Sequence, residues 1–434
     1  MKVQIGFRGS RACGTVGLLC ALGIAVLGAT GCGDTPGSPQ TFEAGVPSDA
    51  GADVPPSTDG QVVDAAPVSP PIVGANDVSV LFLGTKKGGA ELASLLRLDQ
   101  AGTLGALLPQ ARFDALVANM GTQYLEPEAF NDYASWVIVG MRIDPCVKVR
   151  AADSACSAEI RLIAQPTTRA RSLTVGPFED HAIHLVYGLS AGELAEAVKG
   201  LVALHQSTGA RAFLDSPLGV HPLIARDGNA GPYATAMKSW ILEHTGDARL
   251  RRIAANFSSS NLVWFLRSME VQGSATVVAP VPCSPSPTQL WSFSSNTDRP
   301  DGPTLPIPNC AAETNLMMRT QTAARFQAAT AAERATMTNE ALELARPDRR
   351  MFGDVDCVAC HETSQNLAAW HGAAFLLAAD GNPARYTARP IPLEPLRAPS
   401  APAVMRAFGY FGNAAFVSLR TATETAEVLR RLSQ

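Results

Sequence analysis

The sequence predicts an α+β domain at residues 77–280 and a mainly α-helical region at residues 313–434, both preceded by a disordered tether. Three observations predict this arrangement. β-Branched runs and helical patterns are interspersed in the first region, alanine-rich helical patterns dominate the second, and proline-rich stretches flank the first. The 434 residues are 46% hydrophobic and 17% charged, which is enough apolar material for two cores and excludes a disordered or fibrous protein.

Residues 1–31 have the composition of an export signal. Three basic residues, Lys2, Arg8 and Arg11, precede a long apolar run that contains no acidic residue. Small residues lead into Cys32, and this junction resembles the bacterial lipoprotein signal, in which the cysteine is lipidated and the chain is cut before it. We therefore expect an exported bacterial lipoprotein, periplasmic or anchored to the outer membrane, held by lipid on Cys32. The alternatives are a transmembrane anchor and an ordinary cleaved signal.

Residues 32–76 are expected to form the disordered tether. The stretch from Gly33 to Asn76 contains six acidic residues, eight prolines and neither lysine nor arginine, and its apolar residues follow neither the helical nor the strand period. Its acidity argues against electrostatic attachment to anionic lipids. The formal net charge of the chain is −4, so a basic surface for nucleic acid is not expected either.

Side-chain periodicity assigns the elements of the folded regions. Strands are predicted at Val78–Leu83, Trp136–Met141, Glu159–Gln165, Ala182–Tyr187, Leu262–Phe265 and Ala275–Ala279. Helices are predicted at Ala90–Leu96, Ala191–His205, Tyr233–His244, Glu313–Arg346 and Thr423–Leu432. A proline-rich connecting loop is predicted at 281–312. No G-x-G-x-x-G follows a strand, which argues against a dinucleotide-binding domain.

The strongest chemical signal is the segment Cys357-Val358-Ala359-Cys360-His361. Two thiols three positions apart can form thioethers with the two vinyl groups on one edge of a haem, and the histidine that follows can bind the iron as an axial ligand. This C-x-x-C-H pattern resembles the attachment site of c-type cytochromes. Because haem c is attached outside the bacterial cytoplasm, the export signal and the motif agree.

The resemblance to c-type cytochromes covers only the C-terminal region. It implies one covalent haem c, electron transfer with a redox protein partner rather than substrate turnover, a helix before the motif at Ala331–Arg346, and a closing helix at Thr423–Leu432. It also implies a distal iron ligand after the motif, for which Met405 is the best candidate. His371, also after the motif, and Met351, which precedes it, are the other candidates.

Two alternatives to haem attachment stay open for the same residues. In an oxidising compartment Cys357 and Cys360 would form a short disulfide, and the protein would be a haem-free cell-envelope lipoprotein with a structural or binding role. In the second alternative the two thiolates and His361 would bind zinc, for which a fourth ligand at zinc-finger spacing is missing.

Four further cysteines, Cys146, Cys156, Cys283 and Cys310, are expected to be structural, since the two within the signal would be removed with it. Four cysteines allow three disulfide connectivities. The pairs Cys146–Cys156 and Cys283–Cys310 are expected because each of them closes a local loop.

A second motif, G-x-S-x-G at 188–192, lies between a predicted strand and a predicted helix. In a serine hydrolase Ser190 would be the nucleophile of this motif. The other triad candidates are Asp215, His221 and His244. Ser190 and Glu193 also match the capping box S-x-x-E, in which the serine side chain accepts a hydrogen bond from the backbone at a helix start. Because no oxyanion loop of the HGGG type precedes the motif, the capping role is expected.

The remaining histidines are expected to be structural. His181 and His184 lie three positions apart on a predicted strand, which places them on opposite faces and prevents them from chelating one ion. Three others have no cysteine or carboxylate at ligand spacing in the sequence: His205, His221 and His244. The pair Arg349-Arg350 before the haem motif would offer a small basic patch to an acidic electron-transfer partner.

Overall fold

An antiparallel sheet of eight strands forms the centre of the fold. The structure, a computed structural model, describes residues 73–84, 90–120, 131–148, 153–167, 181–258, 263–281, 288–292, 323–347, 351, 357–371, 407–412 and 414–433. The strands are β1 (Ser79–Leu81), β2 (Ala101–Gly102), β3 (Gly105–Ala106), β4 (Trp136–Val147), β5 (Ser157–Pro166), β6 (Ala182–Leu189), β7 (Leu250–Ser258), β8 (Val263–Gln272), β9 (Ala275–Ala279), β10 (Thr288–Ser292), β11 (Phe408–Phe411) and β12 (Ala414–Val417). The α-helices are α1 (Ala75–Val78), α2 (Ala90–Ala93), α3 (Gln110–Met120), α4 (Ala191–Ser207), α5 (Pro222–Asp227), α6 (Pro232–His244), α7 (Ala323–Ala328), α8 (Ala331–Leu344), α9 (Cys357–His371) and α10 (Leu419–Leu432).

The sheet has the strand order β1-β4-β5-β6-β7-β8-β10, and β9 pairs with the second half of β8. From β4 to β8 each strand pairs with the next one along the chain, and α4, α5 and α6 are inserted between β6 and β7. β6 therefore lies in the middle of the sheet, with paired strands on both sides.

One face of the sheet is largely apolar. The side chains paired across six strands on this face are fully buried: Val80, Met141, Leu162, Leu185, Ile253 and Met269. Phe113 of α3 packs edge-to-face against Trp136 at the start of β4, with ring centroids 6.1 Å apart. Trp240 of α6 donates a hydrogen bond to the Ala197 carbonyl of α4, which joins two helices of the same layer. This face forms the main hydrophobic core, because buried apolar area is the largest favourable contribution to folding.

The opposite face is polar. The next row of paired residues along the same strands is Ser79, Arg142, Arg161, Val186, Arg252 and Glu270. Since strand side chains alternate between the two faces, this row lies opposite the apolar one. Such a composition is typical of a sheet face in contact with water, but here the C-terminal segment covers it.

Helix α10 lies across β1 and β4 on the polar face. The hydroxyl groups of Ser79 and Thr425 are 2.7 Å apart, and Arg142 donates a hydrogen bond of 2.8 Å to Glu424. These contacts join residues that are 346 and 282 positions apart in the sequence. The last helix therefore completes a layer over the first strand.

The hairpin of β11 and β12 covers the neighbouring part of the polar face. The side chain of Gln165 donates to the Tyr410 carbonyl and accepts a hydrogen bond from the Tyr410 amide, at 2.8 and 2.7 Å. Gly140 of β4 lies under Phe408, and a Cβ atom at this glycine would come within 2.8 Å of the ring. The close approach of the hairpin therefore explains a glycine inside a buried strand.

The α+β class predicted from the sequence is confirmed, and all six predicted strands belong to the large sheet. Two predicted boundaries are wrong. Composition predicts a tether up to Asn76, yet Asn76 is buried and donates a hydrogen bond to the Pro217 carbonyl. Composition also predicts a connecting loop over 281–312, yet Thr288–Ser292 pair with β8 as β10. In both places tertiary contacts override a loop-like composition.

Residues from both predicted folded regions contribute to one hydrophobic core, in which Met337 and Leu367 belong to the same cluster as Leu162. Within the described ranges, no helix has the length and apolarity that crossing a bilayer requires. The predicted signal at 1–31 and the tether up to residue 72 lie outside the described residues.

Candidate functional site

The C-x-x-C-H segment forms the first turn of α9. Cys357 is the first residue of this helix, and His361 follows four positions later, so the two lie on one face of it. Both side chains are partly exposed. The backbone of Cys360 belongs to the same turn, and its side chain lies outside the described atoms.

The imidazole of His361 faces the imidazole of His184. The two ring centroids are 6.4 Å apart and the ring planes are nearly perpendicular, at 77°. His184 lies on β6, where its register partners are Ile163 of β5 and Ala254 of β7. His181 contacts Phe257, whereas His184 is on the opposite face, as the strand period predicts.

A positive charge lies beside the start of α9. Arg252 of β7 pairs with Val186, two residues from His184, and points to the same face of the sheet. Burial and the nearby Arg161 lower the pKa of Arg252, while its electrostatic interactions with Glu159 and Cys357 act in the opposite direction. The C-x-x-C-H segment thus lies over the middle strands of the sheet, on the same face as Arg252.

The rest of α9 is held by neighbouring C-terminal elements. Ser364 accepts a hydrogen bond of 2.7 Å from the Leu419 amide at the start of α10. Near the other end, Trp370 stacks on Phe326 of α7, with ring centroids 4.7 Å apart. These contacts fix the position of the helix that carries the motif.

One of the predicted distal ligands, His371, is not placed to bind an iron at His361. His371 is ten residues further along α9, which corresponds to about 15 Å, and its ring forms a hydrogen bond of 2.8 Å with Thr338. Met351 lies in a cavity on the polar face beside Arg420 and Glu424. The third candidate, Met405, lies outside the described residues, as do Arg349 and Arg350.

Ser190 forms a capping box and not a nucleophile elbow. Its Oγ accepts a hydrogen bond from the Glu193 amide at 3.4 Å, and the Glu193 carboxylate accepts one from the Ser190 amide at 2.7 Å. His244 Nε2 lies 3.6 Å from the position that a Cβ atom on Gly200 would occupy. Gly200 is ten residues further along α4 than Ser190, which corresponds to about 15 Å. His221 belongs to a separate buried cluster, and Asp215 is exposed. The capping prediction is therefore confirmed.

Asp77, His205, His221 and Tyr233 form a second, buried cluster. All four residues are at most 2% exposed. The Asp77 carboxylate accepts hydrogen bonds from the Gly74 amide at 2.7 Å and the Tyr233 hydroxyl at 2.8 Å. His205 Nδ1 lies 2.8 Å from Oδ2, and His221 Nε2 lies 3.5 Å from Oδ1.

The hydrogen bonds of this cluster define the charge of Asp77 and the tautomer of His221. His221 Nδ1 accepts from the Leu223 amide at 3.1 Å, so in the neutral ring Nε2 carries the proton and points to Asp77. Burial opposes ionisation of Asp77, but hydrogen bonds from His205, His221 and Gly74 outweigh it and hold the pKa of this carboxyl well below its usual range. Asp–His pairs orient imidazoles in many active sites. This cluster is closed to solvent.

A second charged cluster lies between α10 and the polar face. Glu424 contacts Arg142 at 2.8 Å and Arg420 at 2.6 Å, and Arg420 donates to the Leu344 carbonyl at the end of α8. Burial of Glu424 opposes its ionisation, but Arg420, Arg142 and Arg161 outweigh this and hold the pKa of the carboxyl well below its usual range. The cluster thereby binds two C-terminal helices to the sheet.

Sequence reasoning missed both clusters. Asp77 and His205 are 128 positions apart, and no local spacing relates them. The only signals were a buried-strand pattern directly after Asp77 and charged residues inside predicted strands, such as Arg161.

The predicted disulfide between Cys146 and Cys156 is confirmed. Cys146 and Cys156 form a disulfide that joins the facing ends of β4 and β5. Cys283, Cys310 and Cys32 lie outside the described residues. Among the described side chains, no group of three or more histidines, cysteines, aspartates or glutamates is arranged to hold a metal ion.

No protein-family profile, curated protein or solved structure matches this chain.

Proposed function

We propose that this protein is an exported, lipid-anchored electron carrier with one covalent haem c, bound by Cys357 and Cys360, with His361 as an axial ligand. The observation that carries the proposal is the complete C-x-x-C-H sequence on the first turn of α9, with His361 partly exposed at the helix–sheet boundary. The proposal includes a cytochrome-c-like role for the C-terminal region, in which α8 precedes the motif and α10 closes the chain.

The described residues fit such a group in their chemistry. A helical turn places Cys357 and His361 on one side of α9, where a macrocycle attached through the thiols would bring its iron to the imidazole. Both side chains are partly exposed, so the motif is accessible to the attachment machinery. The helix itself is anchored by Ser364 and Trp370, which gives the ligands a rigid support.

When bound, the haem supplies a one-electron Fe(III)/Fe(II) couple. Cys357 and Cys360 would fix it covalently, and His361 would bind and orient the iron. Arg252 places a positive charge beside the motif, and positive charge near an iron centre favours its reduced state. A redox protein partner would donate or accept the electron at the exposed edge of this site.

The test is to produce the full chain with a cytochrome c maturation system and to measure the pyridine haemochrome spectrum and the mass of the mature protein. We expect one thioether-linked haem per chain, which resists extraction with acidified acetone. The double variant C357S/C360S should lose the covalent haem. The matched control C146S, which breaks only the disulfide between β4 and β5, should keep it.

A colourless protein without thioether-linked haem contradicts the proposal and favours the haem-free lipoprotein with a Cys357–Cys360 disulfide. The lipid anchor is tested separately by mass spectrometry of the mature N-terminus. We expect diacylglycerol on Cys32, and cleavage at another residue contradicts this part of the proposal.

A further inference from the structure

On the basis of the proposed haem attachment, the geometry points to His184 as the second axial ligand of the haem iron, opposite His361. His184 precedes His361 by 177 positions, so no motif in the sequence relates the two histidines. The structure brings their rings together across the boundary between α9 and the sheet.

The separation of the two rings suits a shared metal. Two imidazoles that bind one metal from opposite sides, each through a bond of about 2 Å, hold their ring centres about 6 Å apart. The centroids of His184 and His361 are 6.4 Å apart. An angle of 77° between the ring planes is compatible with this arrangement, because each imidazole can rotate about its own bond to the metal.

The two histidines also have suitable supports. His184 is held by β6, which is hydrogen-bonded on both sides in the middle of the sheet. Its register partners on this face, Ile163 and Ala254, are apolar and carry no competing ligand atoms. Both histidine rings are partly exposed, so an edge of the macrocycle would reach solvent while the iron lies between helix and strand.

This assignment replaces a methionine with an imidazole as the distal ligand. Methionine as the distal ligand raises the reduction potential of c-type haem, so ligation by two histidines is expected to give a lower potential than ligation by His361 and Met405. The larger α+β part of the chain then contributes directly to the redox centre through one residue of its central strand.

The experiment compares ligand variants of the haem-loaded full chain by absorption, electron paramagnetic resonance and near-infrared magnetic circular dichroism. We expect the wild-type ferric protein to be low-spin with a bis-imidazole charge-transfer band. H184A should keep the covalent haem but become high-spin, and added imidazole should restore the low-spin spectrum. H184M should stay low-spin with a methionine–iron band and a raised potential. M405L and the matched control H371A should leave all spectra unchanged.

The outcomes separate this inference from the proposed function. A haem-loaded protein in which M405L becomes high-spin and H184A does not would overturn the assignment of His184 and leave haem attachment intact. A methionine–iron band in the wild-type spectrum would also overturn the assignment of His184 and leave haem attachment intact. This measurement does not depend on the folding of a variant. A wild-type protein without covalent haem overturns the proposed function and the assignment together.

Discussion

Asp77 shows how a single buried carboxylate can join distant parts of a chain. Its carboxylate accepts hydrogen bonds from the Gly74 amide and from Tyr233 of α6. Ring nitrogens of His205 on α4 and of His221 at the start of α5 lie 2.8 and 3.5 Å from it. An ionised carboxylate is costly to bury unless its oxygens are fully hydrogen-bonded, and here both are. The residue therefore fixes the entry of the chain into the fold against three helices.

We expect Asp77→Asn to lower the free energy of unfolding by about 3 kcal/mol at pH 7. The amide has the same shape, but its NH₂ group would face a donor of the cluster and leave that donor without an acceptor. Urea denaturation followed by circular dichroism measures the change. The matched control Asp114→Asn, at an exposed position of α3, should change stability by less than about 0.5 kcal/mol. Equal effects of the two substitutions would contradict the role of the cluster.

At the scale of elements, α4 begins directly after Ser190, the capping residue that the sequence predicts. Ser190 and Glu193 cap each other's backbone amides, and the Glu193 carboxylate also contacts Arg249 at 2.8 Å. The hydrogen bonds from Ser190 lower the pKa of Glu193, since they stabilise its ionised form. The G-x-S-x-G pattern at 188–192, which also fits a hydrolase motif, is thus explained by helix capping.

We expect Ser190→Ala to lower the free energy of unfolding by about 1 kcal/mol, because one amide at the start of α4 loses its acceptor. Ser190→Thr, which keeps a hydroxyl cap, should be close to wild type. Thermal or urea denaturation measures both variants. Labelling of wild-type Ser190 by a fluorophosphonate probe, with loss of an esterase activity in Ser190→Ala, would instead indicate a nucleophile.

Helix α10 departs from the amphipathic pattern that predicts it. The sequence indicates an apolar stripe of Ala426, Val428, Leu429 and Leu432. In the structure, buried positions of α10 also include Thr421, Thr423, Thr425 and Glu427. The helix buries polar residues because it lies on the polar face of the sheet, which a helix pattern considered alone does not reveal.

At the scale of the whole molecule, two buried carboxylates relate stability to pH. The pKa values of Asp77 and Glu424 are both held well below their usual range in the folded protein. Near pH 4 the unfolded chain therefore binds more protons than the native state, and stability falls as the pH is lowered. The contribution of both groups is complete above about pH 5 and is lost as the pH falls through their folded pKa values.

We expect the free energy of unfolding to decrease steadily from pH 5 to pH 3 in the wild-type protein. The double variant D77N/E424Q should show a flatter dependence over this range, although it is less stable at pH 7. Urea denaturation at a series of pH values measures both slopes. Glu196→Gln, which removes an exposed carboxylate, should keep the wild-type slope. A double variant with the wild-type slope would show that other groups control the acid response.

The sequence predicts the class of this fold better than its arrangement. Strong β-branched runs identify β4, β5 and β6, and a capping pattern identifies α4. β7 is missed because its segment 250–258 begins Leu-Arg-Arg, and charges usually indicate exposure. The motif at Cys357 is visible in the sequence, whereas its neighbour His184 becomes visible only through the register of the sheet and the position of α9.

The contact between Ser79 and Thr425 has a consequence for how the chain folds. α10 contributes this contact from 346 positions further along the chain, so the polar face beside Ser79 stays open until α10 docks. Before α10 docks, this part of the sheet presents Ser79, Arg142 and Arg161 to water and not a second apolar surface. The surface that α10 covers is therefore charged and polar, and exposing it before α10 docks favours solubility over association.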